Sequence, residues 1–221
     1  LFTFNCKDII LQEMAGTSFE KAEVKINQTK LKENGALLIT HWGLSGPAIL
    51  RLSAWGAKDL AKLNYSFDLQ VNWIGQKSSE VQSLFLSLKK DFPNKQISNI
   101  YFSFNLNKRF WNKILVLAQL DSQITMAQLS NKNINLLIEI LTNYSLKING
   151  KSTFKDEFVT CGGVELKEVD FKTMQSKIVP NLYFVGEVLD IDAITGGFNF
   201  QAAWSGAFIL SEHLRKGISE E

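Results

Sequence analysis

The run Pro180-Asn-Leu-Tyr-Phe-Val-Gly-Glu-Val-Leu-Asp-Ile-Asp-Ala-Ile-Thr-Gly-Gly-Phe-Asn-Phe-Gln-Ala-Ala-Trp-Ser-Gly206 sets an apolar stretch, a polar loop, a glycine pair and a helical pattern in that order. Leu182-Tyr-Phe-Val185 is wholly apolar and reads as a strand buried on both faces. Gln201 to His213 reads as a helix in which Ala202, Ala203 and Gly206 allow close packing. This order brings backbone N–H groups and a carboxylate to one place. A helix start opened by Gly196-Gly197 can approach a phosphate or an electron-rich ring, and its dipole favours negative charge there. Glu187 beside Gly186 can accept hydrogen bonds from ribose-like or ribityl hydroxyls. An unliganded strand-loop-helix with a glycine turn fits the same spacing equally well.

Working outward, charge changes along the chain. Residues 1–75 carry net +1, residues 76–150 net +5 and residues 152–221 net −5. The first part reads as β. Tyr65, Phe67, Leu69, Val71 and Trp73 alternate with polar residues, the period of a half-buried strand, and Val24 and Ile26 continue the style. Glu33-Asn34-Gly35 before Ala36-Leu-Leu-Ile39 reads as an Asn-Gly turn. Short strands of this kind favour a small barrel or sandwich. Ser45 or Gly46 starts a helix with Pro47 in its first turn. The middle part reads as α. Val81, Leu84, Phe85 and Leu88 form one stripe, Phe110, Trp111, Ile114, Leu115 and Ala118 a second, and Ile134, Leu137, Ile138 and Leu141 a third. Thr125-Met-Ala-Gln128 fits a capping box.

Composition bounds the function. The 221 residues are 45% hydrophobic and 21% charged with net charge +2, as in globular proteins, and imply no particular partner. Cys6 and Cys161 make neither a disulfide framework nor a metal set, and two cysteines point to a reducing, cytoplasmic setting. No apolar run reaches the roughly 20 residues that span a bilayer, so no membrane contact is expected. Glu187, Asp190 and Asp192 crowd one loop, but His41 and His213 lie elsewhere in the sequence, so no metal site is expected.

Three blocks resemble the bacterial HI0933-like (BaiN-like) flavoproteins, which are NAD(P)- and FAD-linked oxidoreductases. They are Thr40-His-Trp-Gly-Leu-Ser-Gly-Pro-Ala-Ile-Leu50, Val159-Thr-Cys-Gly-Gly-Val-Glu-Leu-Lys-Glu-Val169, and Thr173 through Gly206 with its Thr173-Met-Gln-Ser-Lys177 and Gly186-Glu-Val-Leu-Asp190. The resemblance implies an α+β multidomain fragment. Residues 1–75 would be a small β-barrel insert and 76–147 a helical insert. Residues 148–221 would be the C-terminal strand-loop-helix part of a Rossmann-like FAD-binding domain. It implies FAD contacts at Gly162, Gly163, Gly186, Glu187, Thr195, Gly196, Gly197, Phe198 and Asn199, with Glu187 on the ribityl chain. Here Phe198 stands where the family usually has Tyr, and Asp192-Ala193 replaces a more usual Asp-Gly.

The pyrophosphate loop Gly-x-Gly-x-x-Gly is absent, and Gly43-Leu-Ser-Gly46 is only G-x-x-G. With Leu1 opening the sequence, this predicts a fragment that does not bind FAD tightly alone.

Two functions are therefore weighed. The first is an FAD-dependent oxidoreductase, with NAD(P)H and an unidentified small-molecule acceptor as partners and no assignable catalytic residue. The second is a binding module contacting RNA or a protein, suggested by Lys108-Arg-Phe-Trp-Asn-Lys113. Phe110 and Trp111 also fit a buried stripe, which weighs against nucleic acid. Cys161 reads as structural, since no second cysteine or flanking lysine activates it. His41 and the Gly43–Pro47 loop fit either a proton donor or a packed histidine before a capped helix, the second favoured.

Overall fold

A computed structural model of the chain describes residues 1–27, 29–152, 159–194 and 197–218. The chain divides into two compact units, one over residues 2–153 and the other over residues from 154 onward.

The first unit is built on six antiparallel strands. These are β1 (Phe4–Asn5), β2 (Ser18–Ile26), β3 (Lys32–Ile39), β4 (Gly43–Ser45), β5 (Ser66–Asn72) and β6 (Tyr144–Asn149). Their order is β1-β4-β3-β2-β5-β6. The two outer strands meet: Phe4 bridges Lys151, Asn5 N donates to Gly150 O at 2.9 Å and Ser152 N donates to Thr3 O at 3.0 Å. The sheet thus nearly closes into a barrel, which leaves little edge to pair with another chain. Phe67, Leu69, Val71 and Trp73 point inward as their alternation requires, with Val24 and Ile26 facing them from β2.

The Asn34-Gly35 turn does not form; both residues lie inside β3. The β2–β3 register shifts between Phe19 and Ala22, and Gly35, at φ +147°, stands opposite Ala22. A Cβ on Gly35 would lie 2.6 Å from Arg51 Nη2. Arg51 belongs to α1 (Pro47–Trp55) and donates to the Asn34 carbonyl and to Glu33 Oε2 at 3.2 Å. The glycine serves a bulge and a guanidinium crossing instead of a hairpin. The chain reverses before it, where Ile26 N donates to Leu31 O at 3.0 Å.

Helix α1 starts as its sequence requires, with Gly46 before it and Pro47 in its first turn. After α2 (Ala57–Lys62) and β5 come α3 (Ser78–Asp91), α4 (Lys108–Leu117) and α5 (Asn131–Thr142). Asn107 caps α4, accepting from Phe110 N at 2.7 Å, and Ser130 caps α5, accepting from Asn133 N at 3.1 Å. The Thr125 capping box forms, with Thr125 N donating to Gln128 Oε1 at 2.8 Å, but on a 3-10 turn (Met126–Gln128). All three stripes are core-facing, and Phe110 and Trp111 are fully buried.

The core runs from barrel to helices without a break. Phe19 of β2, Trp73 beyond β5 and Phe110 of α4 pack as a triangle, with ring centroids 5.0, 4.8 and 5.1 Å apart. After the helices the chain returns to the barrel as β6.

The second unit contains a hairpin of β7 (Val169–Asp170) and β8 (Gln175–Ser176), 3-10 turns at Leu166–Glu168 and Gly186–Val188, and the long helix α6 (Phe198–Ile218). Thr173-Met-Gln-Ser-Lys177 forms the hairpin turn and β8. Leu182–Val185 is not a strand buried on both faces. Tyr183 makes one bridge to Gln175, and Leu182 is exposed. Burial on both faces needs flanking strands and two covering layers, and among the described residues only β8 flanks this run.

Candidate functional site

The glycines singled out by sequence fall into two physical groups. Gly163 is glycine because of packing. A Cβ there would lie 2.5 Å from Val188 O and 2.6 Å from Leu189 C. That closeness lets Val164 pair in parallel with Leu189, Val164 N donating to Val188 O at 2.8 Å and Asp190 N donating to Val164 O at 3.1 Å. The pairing brings Gly162 and Gly163 beside the Gly186–Asp190 turn.

Gly162, Gly186 and Gly197 differ. A Cβ on any of them would meet nothing within 4 Å. Gly162 (φ +103°) and Gly186 (φ +80°) have left-handed backbone, which by itself favours glycine. Gly197, just before α6, likewise has no crowding neighbour among the described residues.

Asn199, in the first turn of α6, spans the loop before it. Its Oδ1 accepts from Ala193 N at 3.0 Å and its Nδ2 donates to Ala193 O at 3.2 Å. The amide is thus committed to holding the loop. Glu187 and Phe198 are exposed. Thr195 and Gly196 lie outside the described residues. Gly186–Val188 packs on α6, and Gly206 lets Met174 and Val185 approach the helix, as its small size suggested. The other side of α6 shows Phe200, Trp204 and Phe208, all about two-thirds exposed.

The Thr40–Leu50 block is chiefly architectural. Gly43 brings β4 against β1, where a side chain would collide with the backbone of Phe4 and Cys6. Gly46, at φ +99°, passes the Ala36 carbonyl before α1. The block's histidine is not packed: His41 is exposed on the turn before β4. Cys161 is exposed and Cys6 is buried.

Two features escaped sequence reading. Tyr144 Oη donates to Asp8 Oδ1 at 2.9 Å across 136 residues, and Cys6 lies nearby. Burial, then the Asp8 charge, pushes the Cys6 thiol up to about 11; burial, then the bond to Asp8, pushes the Tyr144 phenol above its ordinary value. Neither group is activated. The second is an open polar groove of about 620 Å³ lined by Ala15–Ser18, Glu20, Asn105–Asn107 and Arg109. Arg109 closes one side, Nη2 donating to Ala15 O at 3.2 Å and Thr17 Oγ1 at 3.4 Å. Among the described residues no group of three or more His, Cys, Asp and Glu could hold a metal, and no helix is long and apolar enough to cross a membrane.

The architecture of residues 2–153 is a class in itself, a nearly closed six-stranded barrel carrying a helical subdomain on a shared core. A family model described as "HI0933-like protein barrel and H2TH domain" matches residues 1–159, and the chain belongs to the HI0933-like family. The chain is 32% identical over 205 residues to the ribosomal RNA dihydrouridine synthase of Escherichia coli, covering 92% of this chain and 48% of that protein. It is 31% identical over 177 residues to the enzyme of that name from Haemophilus influenzae, covering 78% and 40%. It is 25% identical over 183 residues to the 3-dehydro-bile acid delta(4,6)-reductase of Clostridium scindens, covering 82% and 44%. The chain thus spans less than half the length of each of these relatives.

Proposed function

We propose that the chain is the barrel, helical and flavin-facing part of an FAD-dependent, NAD(P)H-linked reductase whose substrate is a uridine in ribosomal RNA. The observation that carries the flavin part is Gly197, where an added Cβ would meet nothing within 4 Å among the described residues. Gly162 and Gly186 are open in the same way, and in this reading the three glycines let backbone approach a planar ring. Glu187, exposed beside Gly186, would accept hydrogen bonds from ribityl hydroxyls, and Asn199 would keep the loop in place through Ala193. In this reading residues 1–75 and 76–147 form an insert and residues 148–221 return to the FAD-binding domain. The exposed stripe Phe200, Trp204 and Phe208 supports that return, because a face of that size calls for a covering layer.

The relatives support the reaction class. Making dihydrouridine adds a hydride and a proton across a carbon–carbon double bond conjugated to a carbonyl. A delta(4,6)-reductase acting on a 3-dehydro bile acid performs the same kind of saturation. FAD, when bound, supplies the hydride transfer between NAD(P)H and such an acceptor. The protein's part is to position the acceptor, exclude water and hold the cofactor. Higher identity over more of the chain favours the RNA substrate over the steroid, and RNA fits the cytoplasmic setting expected from cysteine usage.

The test incubates the full-length protein with FAD, NADH or NADPH and a ribosomal RNA transcript, then digests the RNA for mass spectrometry. The expected product is a uridine carrying two extra hydrogens, formed only with reductant. Reduction of a steroid enone with unchanged RNA would replace the substrate. A protein that takes up no flavin would overturn the reading.

A further inference from the structure

The polypeptide between α3 and α4 turns two phenylalanines outward around one lysine. Phe92 is 52% and Phe102 57% exposed. Lys95 Nζ lies 5.3 Å from the Phe92 ring centroid and 4.3 Å from that of Phe102. Backbone hydrogen bonds hold the segment between them. Lys95 O accepts from Met126 N at 2.9 Å, and Ile97 N donates to Ile124 O at 2.9 Å. Phe102 sits on the 3-10 turn Tyr101–Phe104. Phe104, two residues on, is buried and stacks on Trp111, whose Nε1 donates to Ile97 O at 2.8 Å. With Phe104 anchored in the core, the turn's geometry sends Phe102 to solvent.

The surroundings are polar and include exposed Asp91 next to Phe92 and exposed Asp121, which accepts from Gln123 N at 2.9 Å. Gln96, next to Lys95, joins Asn99 and Gln123 in an amide cluster, with Gln96 Nε2 donating to Gln123 Oε1 at 2.7 Å. Residues 76–150 carry nine Lys/Arg against four Asp/Glu. Asn105, following the turn that carries Phe102, lines the polar groove that Arg109 closes. Flat rings, a cation between them, amide donors and an excess of positive charge together match unpaired nucleotides. Bases of any sequence stack on aromatic faces, and phosphates pair with lysine and arginine.

We propose that Phe92, Lys95 and Phe102 form a contact surface for single-stranded RNA, stacking unpaired bases near the segment that carries the reactive uridine. This rests on the reading of the protein as an RNA-directed reductase, and it locates base stacking on the helical subdomain at Phe92 and Phe102, not at Phe110 and Trp111, which are buried. The surface takes no part in flavin chemistry.

Fluorescence anisotropy of the full-length protein with a labelled single-stranded oligouridylate, at low and moderate salt, tests it. Phe102→Ala should weaken binding by about tenfold or more, as expected for one lost stack. Phe102→Trp should restore it. Lys95→Gln should weaken binding and reduce the salt dependence by about one phosphate contact. All three side chains are surface groups, and NAD(P)H reduction of the bound flavin should stay at the wild-type rate, which reports intact folding. Wild-type binding with unchanged affinity in Phe102→Ala and Lys95→Gln would overturn the surface and leave the RNA reading standing. A wild-type protein that binds no RNA even at low salt, while its flavin turns over, would overturn both.

Discussion

At the scale of single residues, the cysteines show how environment decides chemistry. Cys6 is buried beside the Asp8 carboxylate that also accepts the Tyr144 hydroxyl, and its thiol is pushed from 9.0 up to about 11. The folded state therefore holds this proton more tightly than the unfolded chain. That preference adds stability which is fully present below about pH 9 and is lost as pH rises toward 11. The Cys6 contribution to thermal melting of the full-length protein should be level up to pH 9 and fall above it, so Cys6→Ala should make the fall between pH 9 and 11 shallower. An unchanged slope in Cys6→Ala would refute the assignment. The Asp8–Tyr144 bond spans 136 residues, so no local pattern announced it. Asn199 illustrates the same limit. Its place after the glycine pair marked it as a site residue, but its partner Ala193 depends on how the loop folds back.

At the scale of elements, periodicity and cap chemistry were readable, and conformations set by a neighbouring element were not. The alternation through Trp73 and the three helical stripes became β5, α3, α4 and α5 because one face of each is covered by the shared core. Asn34-Gly35 carried a turn signal, yet the residue that claims it is Arg51, which only the packing of α1 on β3 brings there. Leu182–Val185 carried a buried-strand signal, but among the described residues only β8 flanks it, through one bridge. Gly163 makes the clearest prediction at this scale. Its would-be Cβ meets backbone at Val188 and Leu189, which cannot rotate away. Gly163→Ala should separate the Val164–Leu189 pairing at a cost of about 1–3 kcal/mol. Limited proteolysis of the full-length protein should then cut faster within residues 159–190. Wild-type resistance would mean that the pairing is dispensable.

At the scale of the whole molecule, the barrel and the helical subdomain act as one body, because Phe19, Trp73 and Phe110 join them. Phe110→Ala should remove about 3–5 kcal/mol. Amide exchange should then rise together in β2, β5 and α4; exchange rising in α4 alone would show two independent bodies. The residues from 154 onward raise the functional question, since they carry both the open glycines and the exposed face of α6. The central claim is that these glycines face FAD, and Gly197 tests it most directly. A Cβ at 197 would meet nothing within 4 Å among the described residues, and Gly197→Val should fold with the wild-type melting temperature when flavin is absent. Equilibrium titration of the full-length apoprotein with FAD should then show affinity weakened by at least about tenfold, roughly 1.4 kcal/mol. Wild-type FAD affinity in Gly197→Val would contradict the account, because the side chain would then occupy space that no flavin uses.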